Sequence, residues 1–145
     1  MEHSIRYQGA IVCNGHILLV KQRGASGYEW WNVPGGGREE DETEEQCVIR
    51  EIKEETNLTV KIECLLIDGP SHRHSPYQQF KTYLCTPIGG ISIPDGKESI
   101  DIKWFDLNDE TQVSLEVLNN ETAYVMIGRI RKALSIVEES SPTTQ

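Results

Sequence analysis

Residues 36–58 have the sequence GGREEDETEEQCVIREIKEETNL, in which a glycine turn leads into a helical segment. Thr43 and Gln46 match the capping-box pattern, in which the threonine hydroxyl and the glutamine side chain satisfy free backbone N–H groups at a helix start. Asn57 tolerates the left-handed conformation that ends many helices. The sequence therefore predicts a helix over residues 43–56, directly after a glycine-rich turn.

Strand patterns lie on both sides of this segment. Residues 5–13 and 16–21 flank Asn14-Gly15, the strongest short hairpin signal. Further strands are predicted at residues 30–33, 58–67, 79–85 and 100–105, and the apolar spacing over residues 110–137 predicts two helical segments broken near Asn119-Asn120. This order of elements predicts an α/β fold, a mixed sheet with helices on its faces.

The composition limits the class of protein. The chain has 145 residues and a net charge of −9, so one domain over residues 1–139 with a frayed tail at 140–145 is expected. Its acidity argues against a nucleic acid polymer as partner. A small phosphorylated ligand remains compatible, because a divalent metal reverses the local field.

Cellular location is inferred from two absences in the sequence. No stretch approaches the roughly 20 apolar residues of a membrane span, and residues 1–4 lack the basic and apolar regions of a secretory signal. We therefore expect a cytoplasmic protein without membrane association. The four cysteines form no CxxC pair and are expected to be small core residues.

Three glutamates share one side of the predicted helix. At about 100° per residue, Glu51, Glu54 and Glu55 fall within a wedge roughly 100° wide. Val48 and Ile52 occupy the adjoining wedge, which is expected to pack on the sheet. The acidic side chains should therefore border the core.

This clustering works against helix stability. Like charges three and four residues apart repel, and Glu54 and Glu55 lie in the last turn, where the helix dipole is already negative. A divalent cation would relieve this repulsion, and oxygen ligands favour Mg²⁺ or Mn²⁺ over Zn²⁺. The ordinary alternative is a solvated acidic helix face without a metal.

The spacing of charged residues favours a metal site over a solvated acidic face. Gly36, Glu42 and the run from Arg50 to Leu58 resemble the Nudix box, GX5EX7REUXEEXGU with U aliphatic. The similarity extends upstream through residues 31–36, WNVPGG. Asn57 stands where the family has glycine, and every charged position of the box matches. The strands and helices outside the box also resemble the family's α/β/α sandwich.

The resemblance implies a metal-dependent pyrophosphohydrolase that acts on a nucleoside diphosphate linked to another group. It implies Mg²⁺ or Mn²⁺ held by Glu51, Glu54, Glu55 and the backbone carbonyl of Gly36. Glu51 or Glu54 would also orient the attacking water, and the choice between them stays open. Arg50 matches the family arginine that orients a catalytic glutamate, whereas its ordinary role would be a surface counter-charge.

Three residues outside the helix are weaker candidates. Glu98 lies in a region from which many Nudix enzymes supply an additional metal ligand or base, and an ordinary solvated acid is an equal alternative. Arg23 follows the second strand and is a candidate phosphate contact. Arg38 adjoins the glycine turn and is another. Each arginine, taken alone, is more often a surface cation.

Two functional classes fit this sequence. The first is the enzyme, with a nucleoside triphosphate, ADP-ribose, a nucleotide sugar or a similar compound as substrate. The second is a non-catalytic Nudix-fold module that binds a nucleotide or regulates a partner. The intact carboxylates favour the enzyme, because non-catalytic members usually lose them. Many members are dimers, so a homodimer is compatible with the resemblance.

Overall fold

The computed structural model describes residues 4–71, 75–97, 99–109 and 121–140. The elements in chain order are β1 (Ile5–Cys13), β2 (His16–Arg23), β3 (Glu29–Asn32), β4 (Gly35–Gly36), α1 (Glu44–Thr56), β5 (Thr59–Pro70), β6 (Gln79–Gly89), β7 (Ser99–Asp106) and α2 (Glu121–Ser140). The predicted hairpin, central helix and later strands are all present. Of the two helical segments predicted over residues 110–137, the second is α2, and the first lies outside the described residues.

The strands form a mixed sheet, as predicted. β2 pairs antiparallel with β1, β3 and β7. β1 also pairs with β6 in parallel, and β6 pairs with β5 antiparallel. The short β4 adds to β1 through Tyr7 opposite Gly36 and Gln8 opposite Gly35. The glycine turn is thereby fixed against the centre of the sheet.

Two apolar cores lie on opposite faces of this sheet. Ile17 and Leu19 of β2 join the core that contains Ile130 of α2. Leu18 and Val20 join the core that contains Val48, Ile52 and Cys47 of α1. Since successive side chains of a strand point to opposite faces, the continuous apolar run of β2 supplies both cores. The protein is an α/β/α sandwich, and α1 packs on the sheet by the predicted wedge.

The cysteines only partly follow the sequence expectation. Cys47 and Cys85 are buried, and Cys64 is half-buried. Cys13 is exposed, so its prediction as a core residue is wrong. It is the last residue of β1, beside the hairpin turn. At the end of a strand the neighbouring elements no longer cover the side chains, so an apolar neighbourhood in the sequence does not imply burial. In the part of the chain that the structure describes, no helix is both long and apolar enough to cross a membrane.

Both ends of α1 are held as the sequence predicts. Thr43 and Gln46 make the two reciprocal hydrogen bonds of a capping box. Asn57 ends the helix in the left-handed conformation, with φ of 67°, and its N–H donates to the Lys53 carbonyl. Its side-chain amide also donates to the carbonyl of Ile91 at 3.0 Å. The start and the end of the acidic helix are therefore both defined by local contacts.

We expect Asn57→Ala to lower the free energy of unfolding by about 1–2 kcal/mol more than Asn57→Gly does, because only glycine adopts this backbone conformation without strain. Both variants lose the bond to Ile91, so their difference isolates the backbone term. Urea denaturation at neutral pH measures it. Equal values for the two variants would show that the left-handed conformation is not what favours asparagine here.

Candidate active site

Glu55 is fully buried at the junction of α1 with the sheet. One carboxylate oxygen accepts the backbone N–H of Gly35 at 3.0 Å, and the other accepts the amide of Gln22 at 3.3 Å. A buried charged group is costly unless hydrogen bonds replace its hydration. These two donors, from β4 and β2, therefore define the position of the Glu55 carboxylate.

Gly35 has no space for a side chain. A Cβ atom there would lie 2.4 Å from the Tyr7 carbonyl oxygen and 2.6 Å from the backbone of Gln8. Only glycine permits β4 to approach β1 this closely. The same approach brings the Gly35 N–H to Glu55, so the glycine turn and the acidic helix form one site.

Glu51 packs against the next glycine of the turn. The residue is 8% exposed, and a Cβ atom on Gly36 would lie 2.1 Å from its Oε2. The Gly36 carbonyl accepts a weak hydrogen bond from the Cys47 thiol at 3.9 Å. Burial raises the pKa of Cys47 to about 12, so the thiol remains a neutral donor. A carboxylate and a backbone carbonyl thus lie side by side.

Arg50 contacts several carboxylates at once. Its guanidinium donates two hydrogen bonds to Glu42, at 2.8 and 2.9 Å, and its Nη2 donates to the Gly37 carbonyl at 3.2 Å. Nη1 lies 3.2 Å from Glu54 and 3.4 Å from Glu51. The hydrogen bonds to Glu42 raise the pKa of Arg50. The structure thus brings together Arg50, Glu51 and Glu54, with Glu42 as the bidentate partner.

Glu42 holds the loop between the glycine turn and the helix. Besides Arg50, its carboxylate accepts the backbone N–H of Glu39 at 2.9 Å, and its own carbonyl accepts Nη1 of Arg38 at 2.8 Å. The hydrogen bonds from Arg50 lower the pKa of Glu42 to about 2. In this structure Arg38 braces the loop, and its contact with a substrate phosphate stays a prediction.

Arg23 does not join the carboxylates of α1. It donates to Glu29 across the β2–β3 pair, with Nε at 2.9 Å from Oε2. Its neighbour Gln22 points towards Glu55, so alternation along the strand directs Arg23 to the opposite face. A role of Arg23 in binding substrate stays a prediction.

Glu98 lies outside the described residues, but its neighbours are well anchored. Asp95 Oδ1 accepts the backbone N–H groups of Lys97 and Ser99, both at 2.8 Å. The buried Ser99 hydroxyl donates to the Glu55 carbonyl at 2.6 Å. The residues on either side of Glu98 are therefore joined, directly or through Asp95, to the last turn of α1.

The donor atoms of this site are of the type that a hard divalent cation prefers. Glu51, Glu55 and the Gly36 carbonyl supply only oxygen, the ligand type that Mg²⁺ and Mn²⁺ prefer. Within the described ranges, no three His, Cys, Asp or Glu side chains converge closely enough to hold a metal ion. The cation between Glu51 and Glu54 is the guanidinium of Arg50.

Comparison with known proteins agrees with this geometry. The model of the NUDIX domain family matches residues 4–126. The chain belongs to the Nudix family. An ADP-ribose pyrophosphatase of Methanocaldococcus jannaschii is 30% identical over 115 residues, which cover 78% of this chain and 68% of that protein. The NAD-capped RNA hydrolase NudC of Vibrio atlanticus is 30% identical over 129 residues, which cover 88% of this chain and 47% of that protein.

The fold is also shared with solved Nudix structures. An ADP-ribose pyrophosphatase from Streptococcus suis superposes with a TM-score of 0.72 over 99% of this chain and 97% of that one, at 23% identity. That similarity concerns the fold alone. The family match and the named relatives identify this Nudix chain as an enzyme of the pyrophosphohydrolase class.

Two residues of this Nudix site are absent from the sequence expectations. Gln22 binds the Glu55 carboxylate, and Ser99 binds the Glu55 carbonyl. Gln22 follows Leu18 and Val20 on the same face of β2, so the two-residue period could have placed it towards α1. No sequence signal places Ser99 there, because its contact joins residues 44 positions apart.

We expect Glu42→Gln to lower the free energy of unfolding by about 1.5–3 kcal/mol at pH 7, the usual value of a hydrogen bond to a charged group. Folding lowers the pKa of Glu42 to about 2, whereas its pKa in the unfolded chain is about 4.3. The ionised carboxylate therefore stabilises the folded protein fully above pH of about 4.3, and this contribution is lost as the pH falls through about 2. The gap between wild type and variant should therefore close over this range.

Urea denaturation from pH 7 to pH 2 measures this gap. Glu40→Gln is the matched control, because Glu40 is an exposed acid of the same loop. A gap that stays constant down to pH 2, or one equal to that of the control, would contradict the assignment of the low pKa to the pair with Arg50.

Proposed function

We propose that this Nudix enzyme hydrolyses the pyrophosphate bond of a small nucleoside diphosphate derivative, with Mg²⁺ or Mn²⁺ bound at the acidic face of α1. The observation that carries the proposal is the pairing of two buried carboxylates, Glu51 and Glu55, with the backbone of Gly35 and Gly36. A surface acidic patch would not be built into the sheet in this way. The net charge of −9 also disfavours a polyanion as substrate.

The oxygen atoms of Glu51, Glu54, Glu55 and the Gly36 carbonyl would hold the metal. When bound, the metal supplies neutralisation of the phosphate charge and a lowered pKa for its water. Glu51 or Glu54 accepts the proton that the attacking water loses. Glu51 is nearly buried, whereas the side chain of Glu54 is 54% exposed, so the two carboxylates differ in their access to solvent.

Arg50 has a positioning role in this proposal. Its bidentate contact with Glu42 fixes the guanidinium, and Nη1 then lies beside both Glu51 and Glu54. Arginine suits this task because its planar fork keeps one geometry while it binds several carboxylates. The arrangement holds the two candidate bases in place beside one guanidinium.

The names of the relatives support a substrate class for this chain. One is named for ADP-ribose and another for NAD-capped RNA, and both ADP-ribose and the NAD cap contain a nucleoside diphosphate. We infer that the substrate of this chain carries the same unit. A panel of nucleoside triphosphates, ADP-ribose, nucleotide sugars and dinucleoside polyphosphates, with identification of the products, tests this inference.

We expect excess chelator to abolish turnover, with activity restored by Mg²⁺ or Mn²⁺. Glu51→Gln and Glu54→Gln should each lower kcat by roughly 10²-fold or more, since each removes a charge from the metal site. Glu45→Gln, on an exposed position of the same helix, is the control and should be neutral. Undiminished hydrolysis in chelator would refute the metal requirement, and nucleotide binding without turnover would favour a binding module.

We expect Glu98→Gln to lower kcat by about 10²- to 10⁴-fold if Glu98 supplies a ligand or base, with little change in stability. Asp101→Asn is the matched control, because Asp101 is an exposed acid whose carboxylate accepts only the adjacent backbone N–H of Ile102 among the bonds described. Asp95→Asn is unsuitable as a control, since Asp95 orders the segment. Equal kcat values for wild type and Glu98→Gln at every pH where the enzyme is active would show that Glu98 takes no part, and the catalytic residues would then all lie on α1 and the glycine turn.

A further inference from the structure

Tyr28 and Trp30 form a stacked aromatic pair close to the acidic site. Their ring centroids are 5.9 Å apart, and the ring planes differ by 17°. Trp30 lies directly opposite Gln22 in the β2–β3 ladder, and Gln22 donates to the Glu55 carboxylate. Because directly paired residues of antiparallel strands project to one face, the aromatic pair lies on the face of the sheet that carries Glu55.

The core does not require this pair. Neither ring belongs to the two buried clusters. The neighbouring Trp31 supplies the core contact on the opposite face, with an edge-to-face arrangement at 5.4 Å from Phe105. Tyr28 is 57% exposed and directly precedes β3, the strand at the end of the sheet order. Strands at a sheet edge usually carry charged residues, which prevent pairing with another chain, so an exposed aromatic residue there is unusual. Trp30 is half-buried, and a stacked aromatic pair with one exposed ring at such an edge is a feature of recognition surfaces.

The backbone beside the pair forms a hydrogen-bonded turn. Gly24 N–H donates to the Tyr28 carbonyl at 2.9 Å, and Gly27 N–H donates to the Gly24 carbonyl at 3.0 Å. A Cβ atom on Gly24 would lie 3.3 Å from Cζ3 of Trp30, so the indole packs closely over this glycine. The turn therefore restrains the backbone of Tyr28 and packs against the indole of Trp30, and such restraint lowers the entropy cost of binding a ligand.

The chemistry of this face suits a nucleobase. Two amide side chains, Gln22 and Asn32, share the face with the rings, whereas the charged pair of Arg23 and Glu29 lies on the other face. A nucleobase combines an aromatic face with a polar edge, so it matches aromatic rings bordered by amides better than an aliphatic chain does.

We propose that Tyr28 and Trp30, the aromatic platform, stack the nucleobase of the substrate. The proposal rests on the proposed function, because the diphosphate of the same molecule would lie at the carboxylates of α1. The backbones of Trp30 and Gln22 are separated by one strand spacing, about 4.8 Å, and the Gln22 side chain extends from there to Glu55. The base and the diphosphate of one nucleotide would thus occupy adjacent parts of one face.

Stacking discriminates little between bases, since every base has an aromatic face. The platform should therefore accept several bases and favour purines, which have the larger ring. The identity of the base would matter less to turnover than its presence.

The test measures binding of AMP and of ribose 5-phosphate, which is AMP without its base. Tyr28→Ala and Tyr28→Leu should each weaken AMP binding by roughly 5- to 100-fold, the range expected for loss of one stacked base. Both variants should bind ribose 5-phosphate as wild type does. Tyr28→Phe keeps the ring and should keep AMP binding. Tyr124→Ala removes a comparably exposed tyrosine, 49% exposed on α2, and is the control.

Steady-state kinetics on the best substrate of the panel give a second measurement. The Tyr28→Ala variant should show a raised KM at nearly unchanged kcat. Unchanged AMP binding in a folded Tyr28→Ala or Tyr28→Leu protein would overturn the proposal. So would a variant that changes its oligomeric state but binds AMP as the wild type does. If the wild type hydrolyses no nucleotide, the proposed function fails, whereas AMP binding still tests the platform independently.

Discussion

The site depends on the burial of the Glu55 carboxylate. A carboxylate without access to water needs hydrogen bonds in its place, and here they come from Gly35 on β4 and Gln22 on β2. The Ser99 hydroxyl adds a bond to the backbone of the same residue. Three strands must therefore be positioned correctly around one residue, and this requirement fixes the last turn of α1 against the sheet.

Arg50 compensates part of the negative charge of the acidic helix, and Glu42 of the preceding loop fixes its position. Glu42 takes the strongest contacts of Arg50, and its pKa falls to about 2 as a result. The same guanidinium reaches Glu51 and Glu54 at longer distances. Arg50 thus lowers the repulsion between acids on one helix face while its orientation is fixed by a residue outside that face.

Strand β2 illustrates how alternation distributes different tasks. Ile17 and Leu19 enter one core, and Leu18 and Val20 enter the other. At its end, Gln22 contacts the acidic site, while Arg23 on the opposite face pairs with Glu29. One strand therefore supports α1, α2, a carboxylate contact and a surface ion pair.

The sequence by itself determined the hairpin, the capped acidic helix, the mixed sheet and the placement of Glu51, Glu54 and Glu55 on one side of that helix. These features follow from local rules: turn residues, capping residues and the periods of helix and strand. Only the tertiary structure decided that Glu55 is bound by Gln22 and Gly35, that Arg50 pairs first with Glu42, and that Cys13 is exposed. The physical reason is that hydrogen bonding and burial depend on which distant segments meet, and local periodicity does not contain that information.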